Sequence, residues 1–341
     1  MRDLSKFPRI RQLETQWVEH EGARYVYLKD IMALADNVVL IPEALAPLLV
    51  LCDGTRDISG LRNAVMLRHG LHLTSADVTD FLSKLDQAFL LEGERYIQAS
   101  EKLLCRYRKA EYRLPSHDKY VYSDDPVILS NKLAEYCDKY ATDLHSYDDI
   151  VGMVCPHIDF QRGHQTYAEL WQLAKPSLED VEVVIVFGTD HRGGSGTMTL
   201  TRQNYATPFG VLPTDITVVD ALADTLSHEE AFSEEIHHVN EHSIELALVW
   251  IHYFMKRKPI KVVPILCGSF HDYMSRGLDS QSDSRMDAVM STLLQSTVGR
   301  KTFVVAAGDL AHVGPAFGDK TPLNPDTRAD IADRDKSAIS S

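Results

Sequence analysis

The second half of the chain alternates continuous apolar runs with helical patterns. This alternation is the sequence feature that most restricts which fold the chain can adopt. Buried strands are predicted at 150–156, 181–188, 260–267 and 302–308. Helices are predicted between them at 163–173, 245–254 and 286–294. Strands that alternate with helices build a sheet covered by helices on both sides. We therefore expect an α/β fold over residues 149–341, with a central mixed or parallel sheet flanked by helices.

Four histidines lie beside small or turn-forming residues, and most of them follow the apolar runs directly. They are His157, His191, His242 and His312. Loops that leave the carboxyl ends of strands in such a sheet meet in one crevice. One histidine of this kind is more often structural than catalytic, but four at comparable positions indicate that their side chains meet at one site. The pattern predicts a mononuclear metal site or a histidine acid/base site.

The run Thr-Asp-His-Arg-Gly-Gly at 189–194 carries His191. Its glycines allow a tight turn and a close approach of the backbone to a bound group. It has neither the lysine of a P-loop nor the glycine spacing of a dinucleotide site. Arg192, next to the histidine, is suited to orienting an anionic substrate.

His242 opens a predicted helix, for which Ser243 or Asn240 is the expected N-cap. The helix dipole disfavours an imidazolium at this end, so a neutral His242 is available as a general base or metal ligand. Asp309 and His312 lie three residues apart after the last predicted strand. Their spacing suits a shared metal ion or a carboxylate–imidazole pair beside one.

Composition excludes several classes of protein. The net charge of −14 argues against a nucleic-acid partner. No apolar run approaches membrane-spanning length and the amino terminus lacks a signal-peptide core, so a cytoplasmic protein without a membrane partner is expected. The five cysteines are scattered, which fits reduced thiols and rules out a zinc ribbon. No Gly-x-Ser-x-Gly elbow is present, which disfavours a serine hydrolase.

Residues 1–100 differ from the rest and are predicted to form a strand at 24–30 and then three helices followed by a hairpin at 92–97. That order is typical of a small α+β winged-helix domain. The strings Asp-Gly-Thr-Arg at 53–56 and Asp-Val-Thr-Asp-Phe-Leu at 77–82 resemble the PqqD-type winged-helix modules. The resemblance implies an accessory domain with a peptide or protein partner, and a purely structural role is the alternative. Residues 101–148 are predicted to be a linker with a packing helix.

Five strings in the second part resemble, in their order, the Memo-like proteins, also called AmmeMemoRadiSam system protein B. They are Pro-His-Ile-Asp-Phe at 156–160, Phe-Gly-Thr-Asp-His at 187–191, the run at 205–215, Glu-His-Ser-Ile-Glu at 241–245 and Gly-Asp-Leu-Ala-His-Val-Gly at 308–314. The resemblance covers about 149–320 and implies the fold of class III extradiol dioxygenases, which hold non-haem Fe(II). It also implies a further helix and strand, where this chain has a polar segment at 328–341.

The resemblance also implies roles for single residues. His157 and His191 match the family's two metal-binding histidines, and His242 matches the acid/base histidine of the dioxygenases. Family members often place a cysteine before the last motif histidine, where this chain has Ala311. Asp309 or His312 would then complete the ligands. Asp190 and Arg192 are expected to take part in catalysis beside the metal. Of the other histidines, His117 is assigned to a predicted surface and His237 is left open, since it lies near the motif loops.

The sequence thus predicts a metal-dependent redox or dioxygenase-like enzyme that acts on a small molecule or a peptide. Iron is the first choice of divalent metal, with zinc and copper as alternatives. A non-catalytic peptide- or protein-binding protein that uses the same crevice is one alternative function. A metal-dependent hydrolase, in which the same ligands activate water, is the other.

Overall fold

The computed structural model describes most of the chain, namely residues 6–30, 32, 34, 38–140, 149–255, 258, 260–277 and 283–340. Residues 141–148, the end of the predicted linker, lie outside the described part. The chain divides into two compact units, Met1–Ala110 and Glu111–Ser341.

The N-terminal unit places an antiparallel sheet before its helices. Its strands are β1 (Glu14–His20), β2 (Ala23–Lys29) and β3 (Val39–Pro42), paired in the order β1-β2-β3. Its helices are a 3-10 turn (Glu43–Leu45), α1 (Ala46–Leu51), α2 (Ile58–His69), α3 (Ser75–Gln87) and α4 (Glu94–Lys109). Glu21 and Gly22 join β1 to β2 with φ angles of 50° and 75°. Positive φ at both central residues fits a tight two-residue hairpin turn.

Capping and periodicity explain α3 well. The Thr74 hydroxyl accepts a hydrogen bond from the Asp77 amide, and the Asp77 carboxylate accepts one from the Thr74 amide. Its apolar side faces the core, because Val78, Phe81 and Leu85 are all buried.

The hairpin predicted at 92–97 is wrong. Gly93 has an extended backbone and is the N-cap of α4, which continues past the predicted boundary at residue 100. Glycine is accepted at helix N-caps as well as in turns, and this ambiguity produced the error. Strands precede helices in this unit, whereas the winged-helix interpretation placed three helices before a hairpin.

The second unit confirms the predicted sheet flanked by helices. Its strands are β4 (Gly152–Cys155), β5 (Val183–Thr189), β6 (Met198–Leu200), β7 (Tyr205–Thr207), β8 (Gly210–Leu212), β9 (Lys261–Cys267) and β10 (Thr302–Ala307). The main sheet has the order β4-β10-β5-β9-β6. Its first four strands are parallel and β6 is antiparallel, while β7 and β8 form a separate hairpin. This order places β5 in the centre of the sheet.

Helices cover both faces of this sheet. They are α5 (Pro126–Lys139), α6 (Phe160–Ala174), α7 (Ile216–Leu226), α8 (His228–Phe232), α9 (His242–Phe254), α10 (His271–Arg276), α11 (Ser284–Ser296) and α12 (Pro325–Ser340), with 3-10 turns at Lys175–Leu178, Glu235–Val239 and Pro315–Phe317. The cluster around Trp171 and Trp250 includes residues of α5, α6 and α9. The cluster around Val218 and Val289 includes residues of α7, α8 and α11. Of the helices described, none is long and apolar enough to cross a bilayer.

The structure of this unit differs in two places from what the sequence led us to expect. The strand predicted as buried at 150–156 is the edge strand β4, and Val154 in it is exposed. Apolar residues also occur on edge strands, where one side has no partner strand. The polar segment at 328–341 is largely the helix α12, in which no residue is buried.

A buried ion pair at the start of α7 makes the stability of this unit depend on pH. The Asp215 carboxylate caps α7 and is paired with Arg300. Burial alone would raise the pKa of Asp215, but the hydrogen bond and charge of Arg300 more than offset it, and the pKa lies below its ordinary value. The unfolded carboxyl, with a pKa of about 3.9, therefore binds a proton before the folded one. The stabilisation is present at neutral pH and is lost as the pH falls below about 4.

We therefore expect Arg300→Met to lower the free energy of unfolding near neutral pH. The same change should reduce the further decline in that free energy from about pH 5 to about pH 3, because the folded and unfolded pKa values of Asp215 become more alike. Urea unfolding across this range measures both effects. A decline as steep as that of the wild type would contradict this role of the pair.

Candidate metal centre

Three imidazoles from distant parts of the chain meet at the carboxyl end of the sheet. His157 lies two residues after β4, His191 two residues after β5, and His242 is the first residue of α9. One ring nitrogen of each lies within 4.8 Å of the other two. The ring centroids are 5.0 Å apart for His157 and His191 and 4.8 Å apart for His191 and His242. His157 is buried, while the His191 side chain is 42% exposed, so the group opens to solvent on one side.

Each of the three rings has its Nδ1 atom beside an acceptor. Nδ1 of His157 lies 3.1 Å from the Ala307 carbonyl oxygen. Nδ1 of His191 and Nδ1 of His242 each lie 3.1 Å from Oε1 of Glu241. Acceptors of this kind hold the proton on Nδ1 and leave Nε2 as the free, electron-donating nitrogen. These contacts favour, for all three imidazoles, the tautomer that can bind a metal through Nε2.

Glu241 organises the group and was not identified from the sequence. Its buried carboxylate accepts hydrogen bonds from the amides of His242 and Ser243, so it is the N-cap of α9. The expected cap, Ser243 or Asn240, is wrong. Burial would raise the pKa of Glu241, but the hydrogen bonds from the His191 and His242 rings hold it well below its usual range. An anionic Glu241 is thus the fixed counter-charge of the group.

The surroundings shift the pKa values of two of the imidazoles in opposite directions. The hydrogen bond to Glu241 raises the pKa of His191 despite its partial burial. Burial lowers the pKa of His157, although the charge of Asp309 opposes this shift. The deepest ring is therefore held neutral, as a metal ligand must be.

Asp309 lies beside the group and His312 lies further out. The Asp309 carboxylate accepts a hydrogen bond from the His157 amide, and its Oδ2 atom is 3.7 Å from Nε2 of His157. His312 Nε2 is also 3.7 Å from that oxygen, but its side chain is 48% exposed. The structure therefore brings Asp309 to His157, but the group whose ligand atoms lie within 4.8 Å of one another includes neither Asp309 nor His312.

Asp190 and Arg192 both contact His237. The fully buried Asp190 carboxylate is 2.9 Å from Nδ1 of His237 and accepts a hydrogen bond from the Arg192 amide. The Arg192 guanidinium donates to the His237 carbonyl oxygen. Asp190, Glu234 and His237 form a second group whose ligand atoms lie within 4.8 Å of one another.

A third set of residues beside the centre went unrecognised in the sequence. The His117 ring lies 5.4 Å from the His242 ring, and the His117 amide donates to the Glu245 carboxylate. Glu245 is itself buried against Arg113, with 2.7 Å between their nearest charged atoms. The available signal was a charged residue inside the apolar run of α9, since charges are rarely buried without a partner.

The donor set fits a divalent first-row metal ion. Imidazole nitrogens suit iron, zinc, copper and nickel, and a neighbouring carboxylate suits iron in particular. The hydrogen bonds to Ala307 and Glu241 are the outer contacts that orient metal-binding histidines.

Comparison with known proteins places this site in a family. The family model described as Memo-like protein matches residues 113–341. A MEMO1 family protein of Aquifex aeolicus is 25% identical over 94% of this chain and 79% of its own length. MEMO1 family proteins of Methanosarcina mazei and Pyrococcus horikoshii are 23% and 26% identical over about half of this chain and 55% of their own lengths. The matched residues include all three converging histidines, and the chain belongs to the Memo-like protein family.

Proposed function

We propose that the protein is a metal-dependent redox enzyme of dioxygenase-like chemistry, with a non-haem ferrous ion bound among His157, His191 and His242. The observation that carries the proposal is the convergence of three imidazole nitrogens within 4.8 Å of one another. Family membership supports the position of the site but does not by itself fix the reaction.

In this proposal His157 and His191 hold the metal and Asp309 supplies the carboxylate ligand. A ferrous ion held by two histidines and one carboxylate keeps positions open for O₂ and a chelating substrate. His242 binds the proton that the substrate loses, and its Nδ1 contact with Glu241 keeps Nε2 free to accept it. Asp190 fixes the loop that carries His191, and Arg192 provides the positive charge that orients an anionic substrate.

A metal-dependent hydrolase is the second candidate, and one observation favours it. His242 belongs to the same group as the other two imidazoles, so the chain offers three histidines to one ion. Three histidines with an open fourth position are a known arrangement for zinc that activates water. The identity of the bound metal separates the two candidates.

Metal content tests the proposal. We expect near-stoichiometric iron in untagged protein purified anaerobically, and loss of that iron in His191→Ala, because this change removes a ligand and the partner of Glu241. His228→Ala is the matched control, since its side chain is 58% exposed and it belongs to neither group of metal-ligand side chains. Stoichiometric zinc in place of iron would support the hydrolase. Wild-type protein without metal would contradict both candidates and favour the peptide-binding alternative.

The same measurement assigns the third ligand. We expect Asp309→Asn to lose iron and His312→Ala to retain it, since the Asp309 carboxylate contacts His157 whereas the His312 side chain is 48% exposed. Retention of iron in Asp309→Asn, with loss in His242→Gln, would instead assign three histidine ligands and remove His242 from the proton-transfer role.

A further inference from the structure

The second group of ligand-type side chains, Asp190, Glu234 and His237, lies outside the three-histidine centre. Asp190 follows β5, Glu234 follows α8, and His237 belongs to the 3-10 turn Glu235–Val239. Their ligand atoms lie within 4.8 Å of one another. Three segments of the chain thus bring two carboxylates and one imidazole to a single point.

The spacing within the group suits a bound cation. Oδ2 of Asp190 and Nδ1 of His237 are 2.9 Å apart. Neighbouring ligands at about 2.1 Å from an octahedral ion stand about 3.0 Å apart, because their bonds meet at a right angle. A hydrogen bond between these two atoms would have the same length. The charges of the group must therefore decide between a hydrogen bond and a bound cation.

The charges favour a cation. Among the described residues, His237 is the basic side chain within ion-pair distance of Asp190, and no lysine or arginine forms an ion pair with Asp190 or Glu234. The Asp190 side chain is fully buried. The Glu234 carboxylate accepts one long hydrogen bond, 3.4 Å from the Gly194 amide. Asp190 is buried and Glu234 is partly exposed, and beside a neutral His237 the two carboxylates carry uncompensated negative charge, so a divalent ion would stabilise the group.

At residue 193 the backbone passes too close to the group for a side chain. A Cβ atom at Gly193 would lie 2.7 Å from Oδ2 of Asp190. Gly194, the next residue, donates its amide to Glu234. The two glycines therefore let the loop after β5 pass close to both carboxylates.

We propose that Asp190, Glu234 and His237 form a second divalent cation site. One nitrogen and two carboxylates suit a first-row ion such as Mn²⁺, Fe²⁺ or Zn²⁺. Because Asp190 directly precedes His191, both sites belong to the loop at the carboxyl end of β5. The proposal does not depend on which metal or reaction the three-histidine centre supports.

Manganese binding to a protein without the first site tests this inference. In the double variant His157→Ala, His191→Ala, titration with Mn²⁺ followed by electron paramagnetic resonance should show about one ion bound per chain. Adding Glu234→Gln should weaken that binding at least roughly tenfold, because the substitution keeps the shape of the side chain and removes its charge.

Glu229→Gln in the same double variant is the matched control, because Glu229 is exposed on α8 and is not part of the group. It should bind Mn²⁺ as tightly as the double variant, and His237→Gln should bind it as weakly as Glu234→Gln. No Mn²⁺ bound to the double variant, or equal affinity with Glu234→Gln and Glu229→Gln, would overturn the second site. Absence of iron from the wild type would contradict the proposed function and leave this result unaffected.

Discussion

Replacing Arg113 by methionine is expected to lower the free energy of unfolding by about 3–5 kcal/mol. The Arg113 side chain is buried, and its guanidinium is 2.7 Å from the equally buried carboxylate of Glu245. Without the guanidinium, the buried Glu245 would keep its hydrogen-bond donors and the partly exposed His117 ring at 3.5 Å, but would lose its permanently charged partner. Burial alone would raise the pKa of Glu245, and the charge of Arg113 is the largest of the effects that hold it low.

The same side chain also supports the metal centre. Arg113 donates hydrogen bonds to the carbonyl oxygens of His238 and Glu241. Glu241 holds the rings of His191 and His242, so Arg113→Met should also reduce metal content. Urea unfolding and elemental analysis measure the two effects on the same preparation.

A double-mutant cycle is the control for this prediction. Replacing Arg113 and Glu245 together by methionine removes both charges, and a buried pair replaced by apolar side chains is often close to neutral. We therefore expect the double variant to be more stable than Arg113→Met alone. A double variant that is destabilised by the sum of the single effects would show that the two residues act independently.

In the second unit, sequence periodicity predicted the strands and helices that are fully buried. β5 appears as a continuous apolar run because it lies in the centre of the sheet, with helices on both faces. The loops after β4 and β5 were predicted to converge because parallel strands end at one edge. For this reason the proximity of His157 and His191 was foreseeable from the strands that precede them, whereas His242 opens α9 and follows no strand.

The supporting contacts were not foreseeable in the same way. Glu241 is adjacent to His242 in sequence, but it also binds His191, which lies 50 residues away. Arg113 lies in the predicted linker, and its partner Glu245 belongs to α9. Local patterns carry no information on pairs so far apart in the chain. His312 was included with the other histidines because its local sequence pattern matches theirs. Only the structure shows that its side chain is more exposed than theirs.

Gly188 lies where the sheet packs closely against the helix that carries His242. It lies in β5, and a Cβ atom there would stand 2.4 Å from Cγ1 of Ile244 and 2.7 Å from Oγ of Ser243. Both residues belong to the first turn of α9, which carries His242. The Ser243 hydroxyl also donates to the Thr189 carbonyl oxygen and so ties this turn to β5. A side chain at residue 188 would have to displace the start of α9.

We therefore expect Gly188→Ala to destabilise the protein by about 1–3 kcal/mol through overpacking. It should also lower metal content, because movement of α9 separates His242 and Glu241 from His191. Gly308→Ala is the matched control, since its Cβ atom would meet nothing closer than Oγ1 of Thr189 at 4.0 Å. Thermal unfolding and elemental analysis of both variants measure the difference. If Gly188→Ala kept the stability and metal content of Gly308→Ala, the position of α9 against β5 would not be what sets the geometry of the centre.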